Sequence, residues 1–177
     1  MPRIDVADDL GSWMQLRPDM GEGLVAFSSA VYGKARLPLR EREIARMRIA
    51  QLNECEVCRN TRQSQGPAQG VDEALYANAE HWRSHDGYSP REKLAAEFAE
   101  RFAQDHIGLR ADDAFWQRLR AAYSDAEIVE LGMCCALWLG AGRLQRVLDV
   151  GQSCQLVLWA QGSIEMLPLR ACGERAG

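Results

Sequence analysis

Apolar residues along this chain recur at helical spacing. After a stretch of mixed polarity ending in Arg17-Pro18, the residues Leu24, Val25, Phe27, Ala30 and Val31 share one side of a segment from Asp19 to about Tyr32. Asp19 is placed to cap that helix and Gly33 to end it. Pro38 and the acids after it suit a first helical turn, and Ile44, Ala45, Met47, Ile49 and Leu52 then form a broad stripe with Arg46 and Arg48 beside it. The pattern predicts a pause near Asn53-Glu54. A further helix, carrying Cys55 and Cys58 at its start, is expected to run to about Gln65, before Gly66-Pro67. Ser89-Pro90-Arg91-Glu92 is a capping box opening a helix through Leu94, Phe98 and Phe102 to about His106. A shorter helix is expected from Asp112 to Tyr123. Ser124-Asp125-Ala126-Glu127 is a second capping box, opening an apolar helix through Leu139 that Gly140 and Gly142 are expected to kink or thin. No segment shows convincing strand alternation, and Val157-Leu158-Trp159 fits helix or strand equally. The predicted class is all-α. The expected organisation is an N-terminal arm over 1–18, a helical domain over 19–150 and a C-terminal extension over 151–177.

Composition narrows this picture. At 177 residues the chain fits one domain with appendages. The formal net charge is −4, with acids interleaved among the arginines, so no basic face for nucleic acid is expected. The N-terminus shows no apolar leader, and the uncharged run Leu131–Gly142 is short of the roughly 20 residues of a membrane span. A cytoplasmic location is therefore expected, where thiols stay reduced and lasting structural disulfides are rare.

Six cysteines are present, and only Cys55 and Cys58 are spaced as a C-x-x-C pair. In such a chain this spacing points to redox or metal chemistry. Zinc needs about four ligands, and no second C-x-x-C or suitably spaced His pair accompanies this one, so neither metal nor cofactor is expected. On one helix Cys55, Cys58 and Arg62 would face the same way, with the helix dipole and the Arg59 and Arg62 cations favouring the thiolate. Arg62 is expected within ion-pair reach of Glu43, although Glu43 is also placed to pair with Arg46 as a structural ion pair. Adjacent Cys134-Cys135 suit core packing, and Cys154 and Cys172 default to free thiols. His81, His85 and His106 lie among polar residues and suit surface or capping positions.

Three stretches, Pro38-Leu39-Arg40-Glu41-Arg42-Glu43-Ile44, Arg48-Ile49-Ala50 and Asn53-Glu54-Cys55-Glu56-Val57-Cys58, together resemble the signature region of the carboxymuconolactone decarboxylase-like, or AhpD-like, group. Ser124–Leu131 resembles that group's closing long helix, so the resemblance covers roughly 20–150. It implies an AhpD-like helical bundle and a homo-oligomer. It further implies a thiol-dependent peroxidase or disulfide oxidoreductase, acting on a peroxide or disulfide and restored by an external dithiol reductant. By that resemblance Cys58 is the attacking thiol, Cys55 its disulfide partner and Glu43 part of a proton relay. The group's relay His, four residues after the second Cys, is Arg62 here, and the residue between the cysteines that is His in some members is Val57. An arginine cannot shuttle a proton near neutral pH. The group's decarboxylases typically lack the cysteine pair and rely on the His, which counts against lactone decarboxylation. The alternatives are a non-catalytic redox-sensing or assembly protein, and a decarboxylase-like enzyme on a small carboxylic acid or lactone.

Overall fold

The structure, a computed structural model, describes residues 1–159 and 163–168. It is an all-α fold with a small three-stranded sheet at one side. After a 3-10 turn at Ser12–Leu16 come α1 (Pro18–Lys34), α2 (Leu39–Leu52), the single turn α3 (Glu56–Arg59) and β1 (Arg62–Gln63). Then follow α4 (Glu73–Ala77), α5 (Pro90–Gln104), α6 (His106–Ala111), α7 (Asp113–Ala122), α8 (Asp125–Leu148) and the hairpin β2 (Cys154–Leu158) and β3 (Ile164–Pro168).

The central element is α2, which packs most extensively against α5 and then α8. Ile44, Ala45 and Ile49 are fully buried, and Ala95, Ala96 and Ala99 give α5 a small-residue face that lets it come close. Four charged α2 residues, Glu41, Arg42, Glu43 and Arg46, are also buried. A buried charge is tolerable only when paired or hydrogen-bonded. Accordingly, Glu41 meets Arg91 at 2.8 Å and Arg42 donates to the Leu37 carbonyl at 3.2 Å. On the more open sides, Arg40 meets Glu92 at 2.6 Å and Arg48 meets Glu100 at 2.7 Å. The three ion pairs, all to residues of α5, tie α2 to that helix beside its apolar stripe.

Both expected capping boxes form. Ser89 and Glu92 close the start of α5, and Ser124 and Glu127 the start of α8, each with reciprocal side-chain to backbone bonds. α8 extends past Leu139 to Leu148, through Gly140 and Gly142, because its buried face continues to Gly142 against the cysteine turn. α1 begins at Pro18 with Arg17, not Asp19, at the cap position. Asp19 lies in the first turn and pairs with Arg17 at 2.8 Å.

Two further expectations are corrected. The helix after Asn53-Glu54 does not reach Gln65: it is the four-residue α3, for which Cys55 is the extended N-cap residue. The Thr61 hydroxyl donates to the Val57 carbonyl at 2.8 Å, and the chain then leaves as β1. The chain also contains strand. β1 pairs in parallel with β2, Arg62 opposite Val157 and Gln63 opposite Leu158, and β2 pairs antiparallel with β3. Val157-Leu158 is therefore strand, and the pairing to residues nearly a hundred positions away is what diverts the chain from helix at Arg62. Cys172 lies outside the described residues.

Candidate active site

Cys55 and Cys58 are joined as a disulfide across α3, with their Cα atoms 5.3 Å apart. Their surroundings differ. Cys55 is fully buried, in a small apolar cluster with Val57 and Cys154. Cys58 is half-buried and lines a cavity of about 510 Å³ walled by α1, α2, α8, the residues before α1 and the β2–β3 hairpin. Its walls are mostly apolar, and Cys58, Arg46 and Tyr32 are their titratable side chains among the described residues. Burial pushes the Tyr32 phenol up to about 12, and its oxygen accepts the Trp138 indole N–H at 3.1 Å.

The turn bearing the cysteines is held from three sides. At the end of α2, Glu54 takes the left-handed conformation (φ 51°) that reverses the chain into Cys55. From α8, Gly142 presents no side chain: a Cβ there would lie 2.8 Å from Asn53 Nδ2 and 3.4 Å from Cys58 Sγ. Asn53 spans the same contact, donating to the Trp138 and Leu139 carbonyls at 3.2 and 3.3 Å and accepting from Arg143 at 2.9 Å. One turn on, Gln145 Oε1 lies 3.7 Å from Cys58 Sγ and 3.9 Å from Cys55 Sγ. From the C-terminal segment, Gln152 Oε1 accepts the Glu56 N–H at the start of α3 at 2.9 Å.

Beneath the turn lies a buried ion pair. Glu43 is 1 % exposed and meets Arg46, 2 % exposed, at 2.8 Å. The carboxylate also accepts from Gln63 Nε2 at 2.9 Å and from the Tyr76 hydroxyl at 2.8 Å. Burial opposes its ionisation, but the Arg46 cation and the bonds from Arg46, Gln63 and Tyr76 outweigh that, so the carboxyl stays below its ordinary pKa. Arg46 in turn donates to the Cys58 carbonyl and, at 3.0 Å, to the Thr61 carbonyl. The pair therefore grips the backbone of the cysteine turn.

The expected Glu43–Arg62 ion pair does not form. Arg62 meets Glu73 at 2.7 Å and lies over the outer face of the Tyr76 ring, 4.2 Å from its centroid. Because α3 ends at Arg59, Arg62 does not share a helical face with the cysteines; strand pairing turns it outward. Its link to Glu43 runs only through Tyr76, whose hydroxyl faces the carboxylate. The cation at this centre is Arg46, which the sequence offered only as a structural partner of Glu43. Gln145 and Trp13 went unread as cavity residues. Cys134 and Cys135 are core thiols as expected: burial pushes Cys134 up to about 12 and Cys135 well above its usual value. Burial likewise raises the Cys154 thiol. His81 and His106 are exposed, His85 is half-buried, and none lines the cavity. Among the described residues no cluster of three or more His, Cys, Asp or Glu is arranged to hold a metal.

The site is a C-x-x-C disulfide at the centre of an AhpD-like helical fold. The model of the carboxymuconolactone decarboxylase family matches residues 18–101 of the chain. The Bacillus subtilis (strain 168) protein YdfG, itself uncharacterized, is 32% identical over 94 residues, 51% of this chain and 60% of that one. The chain thus spans about three-fifths of the length of that curated relative. A crystal structure from Agrobacterium tumefaciens, of a protein of unknown function suggested to be the antioxidant defence protein AhpD, matches with a TM-score of 0.69. The match covers 84% of this chain and 96% of that one at 18% identity, a likeness of fold.

Proposed function

We propose that this protein is a thiol-dependent oxidoreductase in which Cys58 attacks a peroxide or a partner disulfide and Cys55 resolves the product. The observation that carries the reading is the asymmetry of the pair: Cys58 lines the cavity while Cys55, bonded to it, is fully buried. In the dithiol state the Cys58 thiolate attacks one oxygen of ROOH. The O–O bond breaks, a proton from solvent goes to the leaving oxygen to give ROH, and Cys58 becomes a sulfenic acid. The Cys55 thiol then displaces the hydroxyl as water, forming the Cys55–Cys58 disulfide. An external dithiol returns two electrons and two protons and restores the pair. With a disulfide substrate, the first step is thiolate exchange and Cys55 releases the partner's second thiol.

In this scheme Glu43 and Arg46 act as positioning residues. Their charges largely cancel and their bonds fix the turn carrying Cys58. Gln145 lies against both sulfurs, with an amide group able to hydrogen-bond a thiol or thiolate. Arg62, salt-bridged to Glu73, takes no direct part in the thiol chemistry. A homo-oligomer assembled through the exposed apolar side of α8 and a cytoplasmic setting complete the proposal; none of the helices among the described residues is long and apolar enough to cross a membrane.

Steady-state turnover of an organic hydroperoxide with a dithiol reductant tests the reading. Cys58→Ser should abolish turnover. Cys55→Ser should permit one stoichiometric oxidation of Cys58, trapped as a sulfenic acid adduct in mass spectrometry. Equal loss in both variants with no sulfenic acid at Cys58, or turnover that survives Cys58→Ser, would overturn it.

A further inference from the structure

α8 meets the cysteine turn at two successive points. Gly142 lets the helix come close, and Gln145, three residues on, lies on the same face of it. Gln145 Oε1 stands 3.7 Å from Cys58 Sγ and 3.9 Å from Cys55 Sγ, within hydrogen-bonding reach of sulfur. Among the described residues no other side chain comes within such reach of either sulfur. A disulfide carries no S–H, so in the oxidised form this contact holds no hydrogen bond. Nε2 of Gln145 has no hydrogen-bond partner among the described residues. A half-turn of the amide therefore exchanges oxygen for nitrogen at the same place and breaks no bond to the rest of the protein.

The charged groups around Cys58 are cancelled or turned away. On α2, Arg46 is paired with Glu43 and directs its other N–H groups to the Cys58 and Thr61 carbonyls. On α3, Glu56 and Arg59 are exposed and pair with each other at 3.4 Å, and on β1 Arg62 meets Glu73. On α8, Arg143 donates to the Asn53 side chain and the Ala103 carbonyl. Burial keeps the Tyr32 phenol of α1 and the Cys154 thiol of β2 neutral. A thiolate at Cys58 thus has no uncancelled cation against its sulfur among the described residues, and an amide N–H is the donor in place. Cys55 is fully buried with Val57 and Cys154, where burial opposes ionisation.

We propose that Gln145 is a further catalytic residue of the thiol reaction: in the dithiol state its amide N–H donates to the Cys58 sulfur, holds it as the thiolate and makes Cys58 ionise before Cys55. When Cys58 is protonated the amide turns, and its oxygen accepts the S–H. Position 62 does not serve this purpose, because pairing of β1 with β2 carries Arg62 outward. The proposal rests on the reading of Cys58 as the attacking thiol, but the ionisation it concerns is measured without peroxide.

The test reads the Cys58 pKa in the full reduced chain, from the pH dependence of iodoacetamide alkylation with the Cys58 peptide quantified by mass spectrometry. Loss of a hydrogen bond to a charged group at a half-buried site should raise that pKa by about 1. Gln145→Met, which keeps the side chain's length and has no N–H, should show this rise. Gln145→Glu sets a carboxylate beside the sulfur and should raise the pKa further, whereas Gln145→Lys sets a cation there and should lower it below the parent value. Above the thiol pKa, Gln145→Met should react at least as fast as the parent, because a thiolate of higher pKa is the stronger nucleophile. A side chain that only shapes the turn would instead change the rate by a similar factor at every pH. An unchanged pKa in Gln145→Met, shifts of the same sign in Gln145→Glu and Gln145→Lys, or a Cys55 that alkylates at lower pH than Cys58 in the parent would overturn the proposal. The opposed signs of the Glu and Lys variants decide the matter even if Gln145→Met fails to fold. The stated order of pKa values without peroxide turnover would support the role of Gln145 and count against the peroxidase reading; turnover with that order absent would overturn the role of Gln145 alone.

Discussion

Glu43→Gln separates the structural work of the buried ion pair from any chemical work. The substitution keeps the side chain's shape and removes its charge. Arg46 is then left 2 % exposed with its cation uncompensated, since its other partners, the Cys58 and Thr61 carbonyls, are neutral. The new amide also meets two existing donors, Gln63 Nε2 and the Tyr76 hydroxyl, with one acceptor oxygen instead of two. Removing one member of a buried pair typically costs about 3–5 kcal/mol. For a domain of this size each kcal/mol moves the melting temperature by about 2–4 °C, so a fall of about 6–20 °C is expected in a calorimetric melt. Glu43→Gln combined with Arg46→Met, which removes the stranded charge, should recover more than half of that loss. The effect is also pH-dependent. The folded-state pKa of Glu43 lies below its ordinary 4.5, so its contribution is fully present above 4.5 and is lost as pH falls through the folded value. The gap in melting temperature between parent and Glu43→Gln should therefore narrow only below about pH 4.5. A fall under about 2 °C at pH 7, or a double variant no more stable than the single one, would refute the reasoning that Glu43 is there to hold Arg46.

Arg62→Leu should change the iodoacetamide reactivity of reduced Cys58 by less than about twofold, because Arg62 pairs with Glu73 and is screened by solvent on the outer side of Tyr76; a tenfold slowing would restore it as an electrostatic partner of the thiol. Gly142→Ala and Gly132→Ala should have opposite signs in thermal melts. The first drives a Cβ against Asn53 and Cys58 and should destabilise by about 1–3 kcal/mol, whereas the second meets nothing within 4 Å and should gain up to about 1 kcal/mol of helix propensity. Met133 and Val147 are 56% and 71% exposed on the same helix, which predicts self-association through α8; Met133→Glu should lower the mass measured by light scattering, and a parent that is monomeric at all concentrations would exclude this interface.

Much of the fold was legible because local signals and burial agreed. The two capping boxes fix the starts of α5 and α8 through bonds within four residues, and the tertiary ion pairs that Glu92 makes with Arg40 and Glu127 with Arg91 leave them intact. The sheet was not legible for the opposite reason. β1 has only two residues, and its partner lies in a segment with no alternation of its own. A strand that exists only because a distant strand pairs with it leaves no periodicity behind. Gly140 and Gly142 were expected to kink or thin α8, which runs through both to Leu148. Gly142 is instead where the helix comes closest to the cysteines, and a close approach needs a glycine as much as a kink does.

The candidate site shows where spacing misleads. Cys55 and Cys58 were evident from four residues, since the C-x-x-C spacing carries its own geometry. Placing Arg62 with them required the helix to continue for another turn, and one hydroxyl, that of Thr61, bonded to the Val57 carbonyl as the helix ended and the chain was taken into the sheet. The signal for the cation that is there lay on α2. Leu39, Glu43, Arg46 and Ala50 follow one another at steps of four, three and four, so Glu43 and Arg46 fall on the apolar face of their own helix. Two opposite charges three residues apart on a core-facing stripe either pair or destabilise the helix. Once paired, the guanidinium still has N–H groups to satisfy, and the nearest carbonyls are those of the turn packed against it. An arginine anchored within its own helix can therefore grip the cysteine turn, while one on the departing strand is free to bond outward to Glu73.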